Sequence, residues 1–331
     1  RSTLSSSSAA SDVYKRQATT MADATLPTVA MDTEAGTQYN VLHGYTSELD
    51  STLFYGNITP VAKDRKLTVT INTYGEDIEG VAYKIRSLED KSLIENTEVS
   101  DYDNAGSSIN VTFNIKNLLD TGKEYALEIV LKTKKHEAVY YYTRIVYGVD
   151  YDLQKKLDFV MDFNACTFDD SRLKDIAGYL ETSSSGDNTN YGKVNINCSL
   201  SQVGWGDLDP YVESDIIPEV ISVDDDVAIL RLSYRVGAAN DYSSSDTYTV
   251  SEYYRIRQTN SGFYLLNFER EMNQVFDARN DLTSTAKINL GINSSTDVNC
   301  ASDEKGIYTY FVNQGSLWCF NSSSQTFTRV F

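Results

Sequence analysis

The chain of 331 residues is poor in the side chains that most often carry chemistry. It has 2 histidines, His43 and His136, far apart in sequence, so the commonest acid–base and zinc-binding side chain is scarce. Its 4 cysteines, Cys166, Cys198, Cys300 and Cys319, include no CxxC pair, which excludes a local zinc or dithiol redox motif. No stretch approaches the ~20 apolar residues of a membrane helix. No charged start followed by an apolar core marks a signal peptide. Basic residues are outnumbered, 29 against 47 acidic, for a net charge of -18. A field of that sign repels phosphate backbones and anionic membranes, so neither nucleic acid nor a membrane surface is expected as a partner. No GxSxG, Walker A, GxGxxG or HExxH string occurs, and a serine without a base is no nucleophile. No catalytic residue and no cofactor is therefore expected.

What is present points to strands. Tyrosine reaches 24 residues, threonine, serine and valine are frequent, and proline is down to 4. The hydrophobic fraction of 41% suffices for packed cores, and the length suits two domains of about 150 residues each. Residues 1–20 are Ser/Thr-rich with no hydrophobic period. The string SDVYKRQ (11–17) resembles translated sequencing-adaptor read-through, so 1–20 is set aside as artefactual and expected to be disordered. The first residue is Arg1, and any membrane association is expected only through an anchor further upstream.

Residues 21–148 read as a β-sandwich. Leu67, Val69 and Ile71 alternate with threonines; Val81, Tyr83 and Ile85, then Ile109, Val111, Phe113 and Ile115, then Tyr125, Leu127, Ile129 and Leu131 repeat the pattern. A period of two means half-buried strands, and the Gly-containing turns between them suggest two packed sheets. The run NLLDTGKEYALEIVLKT (117–133) followed by EAVYYYTRIV (137–146) resembles the last two strands of a fibronectin type III-like module, with Leu118 or Leu119, Tyr125 and Leu127 in its characteristic places. The resemblance implies a spacer or binding platform.

The period changes after residue 148. In 151–168, Leu153, Leu157, Val160, Met161 and Asn164 form one helical stripe, with Lys155, Lys156 and Asp162 placed elsewhere. A second helix is predicted over 170–181, with Leu173, Ile176, Ala177 and Leu180 inward and Thr167 with Asp170 as its capping pair. Strands return at 223–236, 247–258 and 263–270, giving an α+β domain over 149–276. Helices followed by a late strand after the acidic Asp224-Asp225-Asp226 turn, then a strand opening Gly262-Phe263-Tyr264-Leu265, resemble the NTF2-like cone. That resemblance implies a pocket at the open end of the cone, for which Trp205, Tyr234, Tyr254 and Phe268 are the candidate lining residues.

Residues 277–331 form a third part. GIYTYFVNQGSLWCFNSSSQTFTRVF (306–331) reads as a β-meander and resembles one blade of a β-propeller, with the chain expected to stop inside that propeller. In such a meander Cys300 and Cys319 fall on strands either side of a middle one, roughly 10 Å apart, too far for a disulfide.

The fold class expected is thus multidomain and β-rich: an all-β sandwich, an α+β cone and a C-terminal meander fragment. Asp207 and Asp209 are the alternative candidates for a metal, although a turn around Pro210 also accounts for them; Asp224, Asp225 and Asp226 lack EF-hand spacing and read as a solvated turn. The function expected is a non-enzymatic piece of a bacterial surface or envelope protein that binds or senses a protein or small-molecule ligand. The alternatives are proton-transfer or hydrolytic chemistry in the cone pocket, and a structural stalk presenting a propeller.

Overall fold

The computed structural model describes residues 26–104, 106–148, 151–239, 245–276, 283–284, 287–288, 299–313 and 315–330. Segment 1–20 and most of 277–298 lie outside the described residues. The chain is β-rich, with several sheets and few helices.

Nine strands make the first unit: β1 (Thr28–Asp32), β2 (Gln38–His43), β3 (Ile58–Val61), β4 (Lys66–Asn72), β5 (Ile78–Ser87), β6 (Leu93–Val99), β7 (Ser108–Asn114), β8 (Glu124–Thr133) and β9 (Val139–Tyr147). They form a sheet ordered β2-β1-β4-β7 and a sheet ordered β3-β9-β8-β5-β6. The pair β3–β9 is parallel; the other ladders of these sheets are antiparallel. The alternating residues predicted to face inward are buried between the sheets, where Tyr83 of β5 stacks on Phe113 of β7 with ring centroids 4.7 Å apart. Strand β8 is buried on both faces, because the segment around the short 3-10 turn Ser51–Leu53 covers its outer side. There Glu128 meets Lys84 at 2.7 Å, and the Tyr142 hydroxyl accepts the Leu49 N–H.

The second unit is built on three long strands. Its elements are α1 (Leu153–Thr167), β10 (Lys193–Asn195), α2 (Leu200–Val203), β11 (Tyr211–Val212), β12 (Glu219–Val223), β13 (Val227–Ala239), β14 (Ser245–Thr259) and β15 (Gly262–Gln274). The sheet runs β10-β15-β14-β13, with β11 and β12 sharing the far edge of β13. Leu230, Leu232, Tyr234 and Val236 face inward while Arg231, Ser233 and Arg235 face out, as the alternation requires. Helix α1 lies against the inner face through Phe163, which touches both Tyr254 and Phe268.

Three expectations for this unit need correction. The second helix is a 3-10 turn over Leu173–Tyr179, and of its four expected inward residues only Ile176 is buried, while Ala177 is exposed. Thr167 ends α1 instead of capping the next turn, and its hydroxyl donates back to the Asn164 carbonyl at 2.8 Å. Lys156, expected off the apolar stripe, has no exposed surface at all.

Two-residue strands β16 (Thr283–Ser284) and β17 (Lys287–Ile288) pair with each other, and β18 (Cys300–Ser302), β19 (Tyr308–Asn313), β20 (Ser316–Asn321) and β21 (Thr326–Arg329) form a four-stranded meander. Cys300 pairs with Phe311 and Cys319 with Tyr310. Neighbouring residues of β19 point to opposite faces, so the two thiols lie on flanking strands and on opposite sides of the meander. One apolar cluster runs without interruption from Val29 to Met272 through both larger units. The meander has its own core of Phe311, Phe320 and Phe327 with Phe276 and Trp318, and leaves Tyr308 and Tyr310 exposed.

Candidate functional site

Asn40 makes a dense set of hydrogen bonds at the boundary of the two larger units. The β1–β2 ladder shifts register between Val29 and Met31, and the extra residue opposite that shift, Asn40, takes a left-handed backbone (φ 49). Asparagine tolerates that region better than most residues. Its N–H donates to the Pro218 carbonyl at 2.9 Å, and its side-chain oxygen accepts the Val220 N–H at 2.7 Å, both across the unit boundary. Its amide nitrogen donates to the Ile58 carbonyl and the Thr59 hydroxyl. Nearby, Gln154 of α1 accepts from Thr33 at 2.6 Å and donates to Thr37 at 2.9 Å.

Beside this link a cleft of about 520 Å³ opens between the β1–β2 turn, the β3–β4 connection and the first turn of α1. Junctions between packed units are a common place for ligand clefts, and this volume lies in their usual range. Tyr39, Pro60, Leu67 and Leu153 supply buried, largely apolar wall. Glu34, Asp64, Asp152, Lys66 and Lys155 are exposed at the rim. Asp32 is half-buried in the lining, where its Oδ2 accepts the Thr70 hydroxyl at 2.7 Å. Among the described residues it has no cationic partner. Burial pushes its carboxyl above the usual range, against the opposing Thr70 hydrogen bond. Tyr39 is 2% exposed, and its hydroxyl has no hydrogen-bond partner among the described residues. Burial and the neighbouring Asp32 charge hold the Tyr39 phenol firmly protonated.

The aromatic residues predicted to line a cone pocket come together elsewhere, inside the second unit. Across the sheet, Leu232, Glu252, Arg270 and Val194 form one inward row, with Leu230, Tyr254 and Phe268 in the row beside it. Glu252 and Arg270 are both wholly buried. Glu252 Oε2 accepts from Asn164 at 2.8 Å and from the Tyr254 hydroxyl at 2.7 Å, and Oε1 accepts from Tyr234 at 3.0 Å. Arg270 stands 3.8 Å from Glu252, donates to the Val203 and Gln202 carbonyls at the end of α2, and lies 3.4 Å from the Trp205 ring centroid. Trp205 in turn donates to the Thr167 hydroxyl at 3.3 Å. Burial, with the Glu252 charge, pushes the Tyr234 and Tyr254 phenols well up. Trp205, Tyr234, Tyr254 and Phe268 thus enclose a sealed, donor-saturated carboxylate. Such an arrangement fixes packing and presents no free oxygen to a substrate.

The acidic turns are surface features. Asp207 and Asp209 are exposed, and Asp207 accepts the Tyr191 hydroxyl at 3.0 Å. Among the described residues no group of three or more His, Cys, Asp or Glu side chains is placed to hold a metal. The Asp224-Asp225-Asp226 turn is tied from beneath by buried Lys156, whose ammonium donates to the carbonyls of Asp224 (2.9 Å), Asp225 (3.0 Å) and Tyr151. Burial lowers the pKa of Lys156, against the surrounding aspartates.

Among these, Glu252 and Arg270 were detectable from the sequence: each occupies an inward position of an alternating strand, in Val250-Glu252-Tyr254 and Phe268-Arg270-Met272. Asp32, Tyr39 and Asn40 carry no comparable local signal.

No family model matches the chain, and no curated protein matches it. Among solved structures, that of Spo0M, a sporulation control protein from Bacillus subtilis, matches at 8% identity over 66% of this chain and 86% of that chain, with a TM-score of 0.21. A superposition that loose transfers neither fold nor function. Among the described residues, no helix is long and apolar enough to cross a membrane.

Proposed function

We propose that the chain is a non-enzymatic binding scaffold from a bacterial cell-surface or envelope protein, with the junction cleft as its ligand site. The observation that carries this reading is the pairing of an Asn40 link between the units with an open cleft whose apolar wall carries the Tyr39 hydroxyl and the half-buried Asp32 carboxylate. The sealed state of Glu252 favours scaffolding over chemistry in the cone.

The finer assignments accompany this proposal. For the first unit we read an immunoglobulin or fibronectin type III-like sandwich. Supporting it, β1-β4-β7 faces β9-β8-β5-β6 in the order expected of strands A-B-E against G-F-C with one added strand. The Tyr125 hydroxyl also accepts the Asp120 N–H at 2.8 Å, in the manner of a tyrosine corner, and Leu119 is buried where Leu118 is 56% exposed. For the second unit, three long antiparallel strands with α1 packed on one face favour an NTF2-like cone; for the third, a four-stranded meander with its own core favours a propeller blade.

Thermal-shift screening of small molecules and peptides tests the scaffold reading, comparing the wild-type chain with Ala62→Trp, which fills the cleft from a half-buried position. Stabilising ligands should lose their effect on the variant; ligands that stabilise both chains equally would place binding elsewhere. Antibody labelling of intact against lysed cells tests the surface location, and labelling only after lysis would overturn it.

A further inference from the structure

We infer that the junction cleft takes a primary ammonium group carried on an apolar stem, with Asp32 as its counter-ion and Tyr39 as a second acceptor. This rests on reading the cleft as a binding site.

Three independent features of the cleft point to that chemistry. The first is charge: four carboxylates, Asp32, Glu34, Asp64 and Asp152, face two ammonium groups, Lys66 and Lys155, and Lys155 is already engaged by Asp152 at 2.9 Å. The second is the state of the two deepest polar groups. Asp32 has one oxygen on Thr70 and no cation, and Tyr39, a 2% exposed residue of the lining, has no hydrogen-bond partner for its hydroxyl among the described residues. A carboxylate oxygen and a phenol oxygen in the lining of one cleft can both accept, and an ammonium group offers three donors and a positive charge to them. An anionic ligand would face the Asp32 charge with no buried cation to offset it. A neutral alcohol would fill one acceptor and leave the charge uncompensated. The third feature is the wall. Leu67, Leu153 and Pro60 are buried and apolar, so the stem that carries the ammonium gains by leaving water. A cleft of about 520 Å³ accommodates an alkyl or aryl stem and not merely a metal ion. The same ammonium chemistry occurs on free amines and on lysine side chains of a partner peptide.

Calorimetric titration of the full chain with n-hexylamine, hexan-1-ol and hexanoate at neutral pH decides the matter. Cadaverine and N-acetyl-lysine methylamide are titrated in parallel to separate the free-amine source from the peptide source. Hexylamine should bind at least tenfold more tightly than hexanol, and hexanoate more weakly than either. Asp32→Asn should weaken hexylamine about tenfold, Tyr39→Phe by a few fold, and Ala62→Trp should remove binding, with each variant first checked to melt as a folded protein. If hexanol or hexanoate binds as tightly as hexylamine and Ala62→Trp blocks it, the cleft is a binding site and the ammonium inference falls alone. Hexylamine binding unchanged in Asp32→Asn also overturns the inference. Should no probe bind saturably at millimolar concentration, both the inference and the cleft reading fail.

Discussion

Asp32 and Glu252 are carboxylates on different sheets, and their surroundings differ as an open cleft differs from a sealed core. Glu252 is wholly buried and receives an amide, two phenols and the nearby guanidinium of Arg270. Asp32 is half-buried and receives one hydroxyl. A buried charge is tolerated when its lone pairs are used, and the interior of the second unit supplies the Glu252 carboxylate with three hydrogen-bond donors. The interior also leaves Arg270 Nε unpaired but sealed. The cleft leaves the Tyr39 hydroxyl and one Asp32 oxygen without a partner among the described residues in an open lining, and only groups in an open lining can meet a ligand. Aromatic content misleads here: Trp205, Tyr234, Tyr254 and Phe268 gather around the saturated charge, while the open cleft has a single aromatic ring, Tyr39, in its lining.

This contrast can be broken by substitution, starting where the effect is largest. Glu252→Ala removes one partner of a buried charge pair and strands Arg270, so denaturant unfolding should show a loss of about 3–5 kcal/mol. A loss below about 1 kcal/mol would mean that the interior is wetter than its burial implies. Asn40→Ala comes next, at about 2–4 kcal/mol, since it orphans buried backbone groups and places alanine in a left-handed conformation. Calorimetry of that variant should also split or broaden the transition, because the Asn40 side-chain bond to Val220 across the units is lost while the Pro218 and Gln154 bonds and the shared apolar core remain. A single, equally sharp transition would show that those remaining contacts suffice to couple the units.

Lys156→Met leaves three carbonyls without their donor and should cost about 1–3 kcal/mol. Asp32→Asn should go the other way. The folded state raises the Asp32 pKa, so the folded chain holds that proton more tightly than the unfolded one. Stability from this group is therefore present at acid pH and lost as pH rises through the folded pKa. The variant should be slightly more stable than the parent at neutral pH, by no more than about 0.5 kcal/mol, with the gap closing on acidification. A variant less stable at pH 7 would mean that Asp32 has an internal partner in solution. Removal of 277–331 should change least: the meander has a separate core, so the main melting transition of the remaining chain should stay where it is.

Much of the fold was legible. Period-two runs such as Leu67-Val69-Ile71 and Leu230-Leu232-Tyr234 face inward as read, because side chains must alternate across a strand. The α1 stripe was right for Leu153, Leu157, Val160 and Asn164, but Met161 is only half-buried, Phe163 was missed, and so was Lys156, whose long side chain reaches carbonyls on a turn more than sixty residues away in sequence. The helix expected over 170–181 is a 3-10 turn over Leu173–Tyr179, in which Ile176 is buried, Leu173 and Leu180 are half-buried against the core and Ala177 stays exposed.

The sequence by itself determined composition, sign of charge, strand alternation and the change from strand to helix after residue 148. These depend on each residue's own polarity and on a local geometric period. Only the tertiary structure decided which carboxylate is sealed and which is open. That depends on donors brought from distant strands: Thr70 to Asp32, and Asn164, Tyr234 and Arg270 to Glu252. A carboxylate's chemistry is set by what surrounds it, and those neighbours are assigned by packing across the chain, not by adjacency within it.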